Sequence, residues 1–269
     1  MNGEQTHAEV LTERSRQKNL ARDYIMQGVH IVDPTRFDQR GTIHFGSNVK
    51  IDIGVIFEGN CEIGDNVTIG PYCVIRDTWI GDGTVVEAYS HLVGAVIGGN
   101  AKIGPFARLR PGADLADEVH IGNFVEVKNS SLGKGSKANH LAYIGDAKVG
   151  ERVNYGAGSI TANYDGAFKH ESVIGNDVHV GSNCVLIAPV TIADGATIAA
   201  GSAVAKEVKE GLTIVRAWPM NRPEWKRPTK ASPAPNPKHE AAPEVLGLSQ
   251  EAADAAMQDF LNIIPGNER

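Results

Sequence analysis

Arg110 and Lys128 stand eighteen residues apart, and each directly follows an apolar residue, Leu109 and Val127. If one turn of the fold takes eighteen residues, the two cations point outward, one above the other. At about 5 Å they repel by some tenths to a few kcal/mol, depending on the local dielectric. Such a pair favours an acidic neighbour or a bound anion. A phosphate would suit it, since arginine offers a planar fork and lysine a point charge. Two solvated cations relaxed apart satisfy the same pattern. His140 lies in Gly135-Ser136-Lys137-Ala138-Asn139-His140-Leu141-Ala142-Tyr143. An imidazole with its usual pKa of about 6.5 is the natural base at neutral pH. A lone histidine is more often structural, and His120 and His179 read that way. A metal site would need three converging imidazoles, and no His pair has a spacing that compels one, so no metal is expected.

The elements that must position these residues are written in a period of six. An apolar residue followed by glycine recurs at Ile63-Gly64, Ile69-Gly70, Ile97-Gly98, Ile103-Gly104, Ile121-Gly122, Val149-Gly150, Tyr155-Gly156, Ile174-Gly175 and Val180-Gly181. Hexapeptide repeats mark a parallel β-helix in which three short strands make one triangular coil, so a coil should take eighteen residues. The expected fold class is all-β, a left-handed parallel β-helix. At that spacing the inward columns read Val49, Val67, Val85, Ile103 and Ile121; Cys61, Trp79, Ile97 and Leu115; and Val55, Cys73, His91, Leu109 and Val127, with His91 the polar intruder. Phe106 and Phe124 should stack coil on coil. The register is lost after Val127 and returns three residues out of phase at Ser172, Val178, Cys184, Val190, Ala196 and Ser202. The segment 129–171, with its turn-forming Asn163-Tyr164-Asp165-Gly166, is therefore expected to leave the prism as a loop.

Residues 1–30 read as a linker with an amphipathic helix over 7–27 that caps the prism, 31–228 as the β-helix domain, and 229–269 as a flexible Pro/Ala-rich tail with a possible short helix capped by Ser249. The net charge of −6 gives no reason to expect a nucleic-acid partner, and any anion site must be local. No apolar run is long enough to span a membrane and the N-terminus is unlike a signal peptide, so the expected address is the cytoplasm. Cys61, Cys73 and Cys184, odd in number and widely spaced, read as small core hydrophobes.

Several strings are more specific than the repeat. Ile103-Gly104-Pro105-Phe106-Ala107-Arg108-Leu109-Arg110-Pro111-Gly112-Ala113, Gly122-Asn123-Phe124-Val125-Glu126, Leu132-Gly133-Lys134-Gly135-Ser136-Lys137-Ala138, His140-Leu141 and Ile160-Thr161-Ala162-Asn163-Tyr164-Asp165-Gly166 closely resemble the acetyltransferase half of the bifunctional bacterial glucosamine-1-phosphate N-acetyltransferase / N-acetylglucosamine-1-phosphate uridylyltransferase family. The likeness spans about residues 7 to 228. It implies acetyl transfer from acetyl-CoA, as co-substrate, to the amine of glucosamine-1-phosphate, on the route to UDP-N-acetylglucosamine and cell-wall precursors. It also implies a homotrimer with active sites between subunits. By the same resemblance, His140 matches the catalytic base, and Arg110, Lys128, Tyr143, Asn154 and Lys169 match contacts to the sugar phosphate. Asn163 and Tyr164 match residues lining the thioester and amine, and Ala157, Ser182, Ala200 and Arg216 match CoA-binding positions. Attack on the thioester builds charge on the carbonyl oxygen, for which either backbone amides near Ala157 or the Asn163 side chain could be donors. Nothing resembles the family's Gly-rich nucleotide loop followed by Thr-Arg, so uridylyl transfer is not expected of this chain. Ala162 stands where some relatives have cysteine. The competing readings are a non-catalytic hexapeptide scaffold and an acyltransferase with another acceptor.

Overall fold

The computed structural model describes residues 6–216 and 222–225. The tail read at 229–269 lies outside the described residues. The chain enters through α1 (His7–Met26), whose N-terminus carries a capping box: the Thr6 hydroxyl accepts from the Glu9 amide while the Glu9 carboxylate accepts from the Thr6 amide. From His30 onward it winds as a left-handed parallel β-helix of about ten turns. One face is a single eleven-stranded parallel sheet running from His30–Ile31 to Gly211–Thr213. We call it the first face. The second and third faces form one sixteen-stranded sheet, because long strands such as Ile56–Ile63 and Val185–Ile192 run round the corner between them.

The interior is stacked columns of aliphatic side chains. Ile51, Ile69, Val86, Ile103 and Ile121 line the first face, Phe57, Ile75, Leu92, Leu109 and Val127 the second, and Ile63, Ile80, Ile97, Leu115 and Leu132 the third, all buried. These columns correct the eighteen-residue reading. Several coils take seventeen residues, as the pairs Thr68↔Val85, Val85↔Lys102, His120↔Lys137 and Lys137↔Asn154 show. The shortening lies at the corner between the second and third faces: inward Phe57 and Ile63 are six apart, whereas inward Ile75 and Ile80 are five apart. An eighteen-residue count therefore slips by one. Val85 is not an inward residue, Trp79 is exposed, and His91 lies on the outer surface with Leu92 taking the inward place.

The segment 129–171 is corrected as well. Residues 130–162 continue the prism in regular strands, and only Asn163–Glu171 departs, adding eight residues to that turn. Ser172, Val178, Cys184, Val190, Ala196 and Ser202 then resume as buried inward residues, as their spacing predicts. The three cysteines are free and buried. Cys73 is pushed up to about 11 by burial, which keeps it an inert thiol.

Helix α1 protects the open end of the coil. Its buried Gln17 side chain donates to the Gln39 carbonyl (2.8 Å) and accepts from the Gln39 amide (2.8 Å), acting as a short strand on an otherwise unpaired edge. Tyr24 of the same helix packs edge-on against Phe37 and Phe45.

Candidate active site

The corner between the second and third faces gathers most of the residues singled out for the sugar phosphate. Leu109 pairs with Val127, so Arg110 and Lys128 sit on adjoining coils and project outward, as expected. Each has an acidic partner: Arg110 donates to Glu126 (2.8 Å), and Lys128 lies 3.5 Å from both oxygens of Asp146. The first pair is exposed enough to contribute little to stability. The second is screened from water, with side-chain exposures of 19% and 11%. Burial pushes the Asp146 carboxyl up, but hydrogen bonds from Asn129 and Asn163 and the charge of Lys128 outweigh it, and the net shift is below the usual carboxylate range.

The excursion brings two more residues to this corner. Asn163 begins it directly above Asp146, to whose carboxylate its amide nitrogen donates, and the same nitrogen lies 3.4 Å from the Tyr143 hydroxyl. Lys169 returns near the end, held by the bridge Tyr164↔Lys169. Contact with Lys128 pushes Lys169 below the ordinary lysine value, Arg110 adds to that, and Asp146 opposes it. Asp165 shapes the loop, accepting from the amides of Ala167 and Phe168 and pairing with His170 at 2.6 Å. Tyr164 is exposed, its hydroxyl donating to the Gly166 carbonyl (2.6 Å) rather than joining the cluster.

His140 stands on the other edge of the second face, at the corner with the first, in the same coil as Tyr143. Its Nδ1 lies 2.8 Å from Asn123 Oδ1, on the coil below. With the Asn123 carbonyl accepting from Nδ1–H, the Nε2 lone pair is left free to accept a proton. The ring borders a shallow depression of about 270 Å³ lined by Gly104, Pro105, Gly122, Asn123 and Asn139. Above His140 the column continues through small residues: the carbonyls of His140, Ala157 and Ser182 accept from Gly158, Asn183 and Gly201 on successive coils, and Ala200 follows. The result is a strip of little side-chain bulk running along the corner from the imidazole. Arg216 is exposed beside its upper end, near Gly201. Asn154 is not brought to the cation cluster. It is exposed on the first face and lies 3.1 Å from His179.

Five residues of the site went unassigned from sequence: Asn123, Glu126, Asn129, Gly145 and Asp146. Asn123 and His140 are seventeen apart, as are Asn129, Asp146 and Asn163 in turn, so an eighteen-residue count misses both columns. Gly145 is needed for Tyr143: a Cβ there would overlap the phenol.

Comparison with known proteins agrees with the fold. A model described as GMPPB C-terminal domain matches residues 39–123, and one described as bacterial transferase hexapeptide (six repeats) matches residues 171–206. The bifunctional protein GlmU of Methylibium petroleiphilum is 60% identical over 219 residues, covering 81% of this chain and 48% of its own. GlmU of Acinetobacter baumannii is 56% identical over the same shares. The chain is homologous to part of GlmU. It spans about half the length of the GlmU relatives it matches. A UDP-N-acetylglucosamine acyltransferase from Campylobacter jejuni is similar at 20% identity and a TM-score of 0.41, covering 67% of this chain and 68% of that one. Among the described residues no helix is long and apolar enough to cross a membrane.

Proposed function

We propose that the chain transfers the acetyl group of acetyl-CoA to the amine of glucosamine-1-phosphate, giving N-acetylglucosamine-1-phosphate for UDP-N-acetylglucosamine synthesis. The observation that carries this reading is the flanking of one face by two different edges. One edge holds a base, His140, at the foot of a strip of small residues; the other holds Arg110, Lys128 and Lys169. The cations suit a phosphate dianion. The strip over Ala157, Ser182 and Ala200, with Arg216 beside its upper end, suits the thin extended arm of CoA. Tyr143 and Asn163 lie at the cation edge, where the amino sugar would sit, and Tyr164 borders the same loop. Asn154, on the first face, would serve a substrate held against a neighbouring subunit.

The amine nitrogen attacks the thioester carbon while His140 Nε2 takes the proton, at a gain of roughly 10²–10⁴ in rate. The C–S bond then breaks and CoA leaves as the thiol, reprotonated from the imidazolium. The Ala157 amide, one coil above His140, has no acceptor among the described residues and would donate to the oxyanion. The reading requires no metal.

The homotrimer is part of the same proposal. Tyr72, Tyr89, Phe106 and Phe124 stack along the corner beside His140 with ring centroids 5.4, 5.1 and 5.3 Å apart, and with Leu141 above them they stay about half exposed. A contiguous apolar ridge of this kind supports burial against like chains.

The test is thiol release from acetyl-CoA by the purified chain with glucosamine-1-phosphate, glucosamine or glucosamine-6-phosphate as acceptor. Release with the first alone is expected. Release with none of them from folded, trimeric protein would overturn the reading in favour of a scaffold.

A further inference from the structure

Asp146 sits at the second corner with φ +50 and spends both carboxylate oxygens inside the protein. Oδ1 accepts from Asn129 Nδ2 at 2.6 Å, Oδ2 accepts from Asn163 Nδ2, and Lys128 Nζ approaches both. An ionised carboxylate only accepts, so the Asn163 amide must turn its nitrogen toward it; the opposite flip would set oxygen against oxygen. The depressed pKa of Asp146 keeps it ionised at neutral pH. The Asn163 nitrogen is thereby committed to Asp146 and the Tyr143 hydroxyl, while its Oδ1 makes no hydrogen bond among the described residues.

We propose that Asp146 is a positioning residue for acetyl transfer: through its hydrogen bond it locks the Asn163 amide so that Oδ1 faces the site as an acceptor for an N–H of the attacking amine. This rests on the acetyl-transfer reading. It assigns Asn163 to the amine rather than to the oxyanion, because the amide has no N–H left to donate there. It also explains why the excursion starts at Asn163: the column Asn129, Asp146, Asn163 fixes the first residue of the loop before the chain leaves the prism.

The experiment is a double-mutant cycle on thiol release with D146N, N163A and D146N/N163A. Asparagine tolerates positive φ, so D146N leaves the backbone unstrained, and D146G, also suited to that φ, repeats the test if the first variant melts early. We expect kcat of D146N to fall on the order of 10–100-fold, as for a misplaced reacting group. KM for glucosamine-1-phosphate should not rise, because a negative charge has left an anion site. In the N163A background D146N should add less than about twofold. A merely structural role would lower the melting temperature and multiply the two losses, and that result, or a D146N variant with unchanged kcat, overturns the proposal. A wild-type chain that releases no thiol sinks the acetyl-transfer reading and this one with it; an active wild type with an unaffected D146N sinks this one alone.

Discussion

Lys169 carries a charge that the fold makes easier to lose. Its folded value is lowered, chiefly by contact with Lys128, so as pH rises it loses its proton before an ordinary lysine, whose pKa is about 10.4. Deprotonation removes a positive charge from the proposed phosphate site. The alkaline limb of kcat/KM for glucosamine-1-phosphate should therefore begin below the ordinary lysine range, and K169R should move it upward, since guanidinium stays charged. A limb unmoved by K169R would assign it to another group. His140→Ala should lower kcat by about 10²–10⁴ while leaving circular dichroism and melting unchanged. Near-full activity would mean that another group is the base. His140, Arg110 and Lys128 stood out in the sequence by residue type and spacing. What holds them was not, because Asn123, Glu126 and Asp146 come from neighbouring coils.

Within single elements, two positions test how the strands carry the site. Gly145→Ala would place a Cβ in the space of the Tyr143 phenol, which must swing away from Asn163. The expected result is a fold that melts close to wild type and a kcat/KM reduced on the order of tenfold, as a displaced contact of this kind produces. Tyr155 faces inward above Ala138, and its buried hydroxyl has no partner among the described residues. Burial pushes the phenol far up, so it stays neutral. Tyr155→Phe removes the unpaired group at nearly constant volume and should stabilise the chain by about 1 kcal/mol, read as a higher urea midpoint. A lower midpoint would show that the hydroxyl is satisfied in solution.

Across the whole molecule, the proposed trimer contact and the proposed base share one corner. The aromatic ridge of Tyr72, Tyr89, Phe106 and Phe124 runs beside the column that holds His140, so a variant that opens the ridge should also open the site. The double substitution Phe106→Asp with Phe124→Asp places two carboxylates on that apolar surface. It should yield a folded monomer by sedimentation with acetyl transfer reduced to near background. A monomeric but fully active variant would separate assembly from catalysis and show that one chain holds a complete site.

The six-residue period alone determined a good deal of this molecule. It required a three-faced parallel β-helix, sent alternate apolar residues inward, placed Arg110 and Lys128 on adjoining coils of one outer surface, and showed an insertion somewhere between Val127 and Ser172. The physical reason is that inward packing constrains residue type at every rung, so it is written into the sequence. Only the tertiary structure decided which residues meet across coils. That depends on whether a corner spans five or six residues, a matter of local backbone geometry in αL turns such as Asp77 and Asp146 that leaves the inward pattern almost unchanged. One residue fewer at a corner shifts every cross-coil pair beyond it. That shift moves His91 from the core to the surface and brings Asn123 beneath His140. It also stacks Asn129, Asp146 and Asn163 into the column that orients the site.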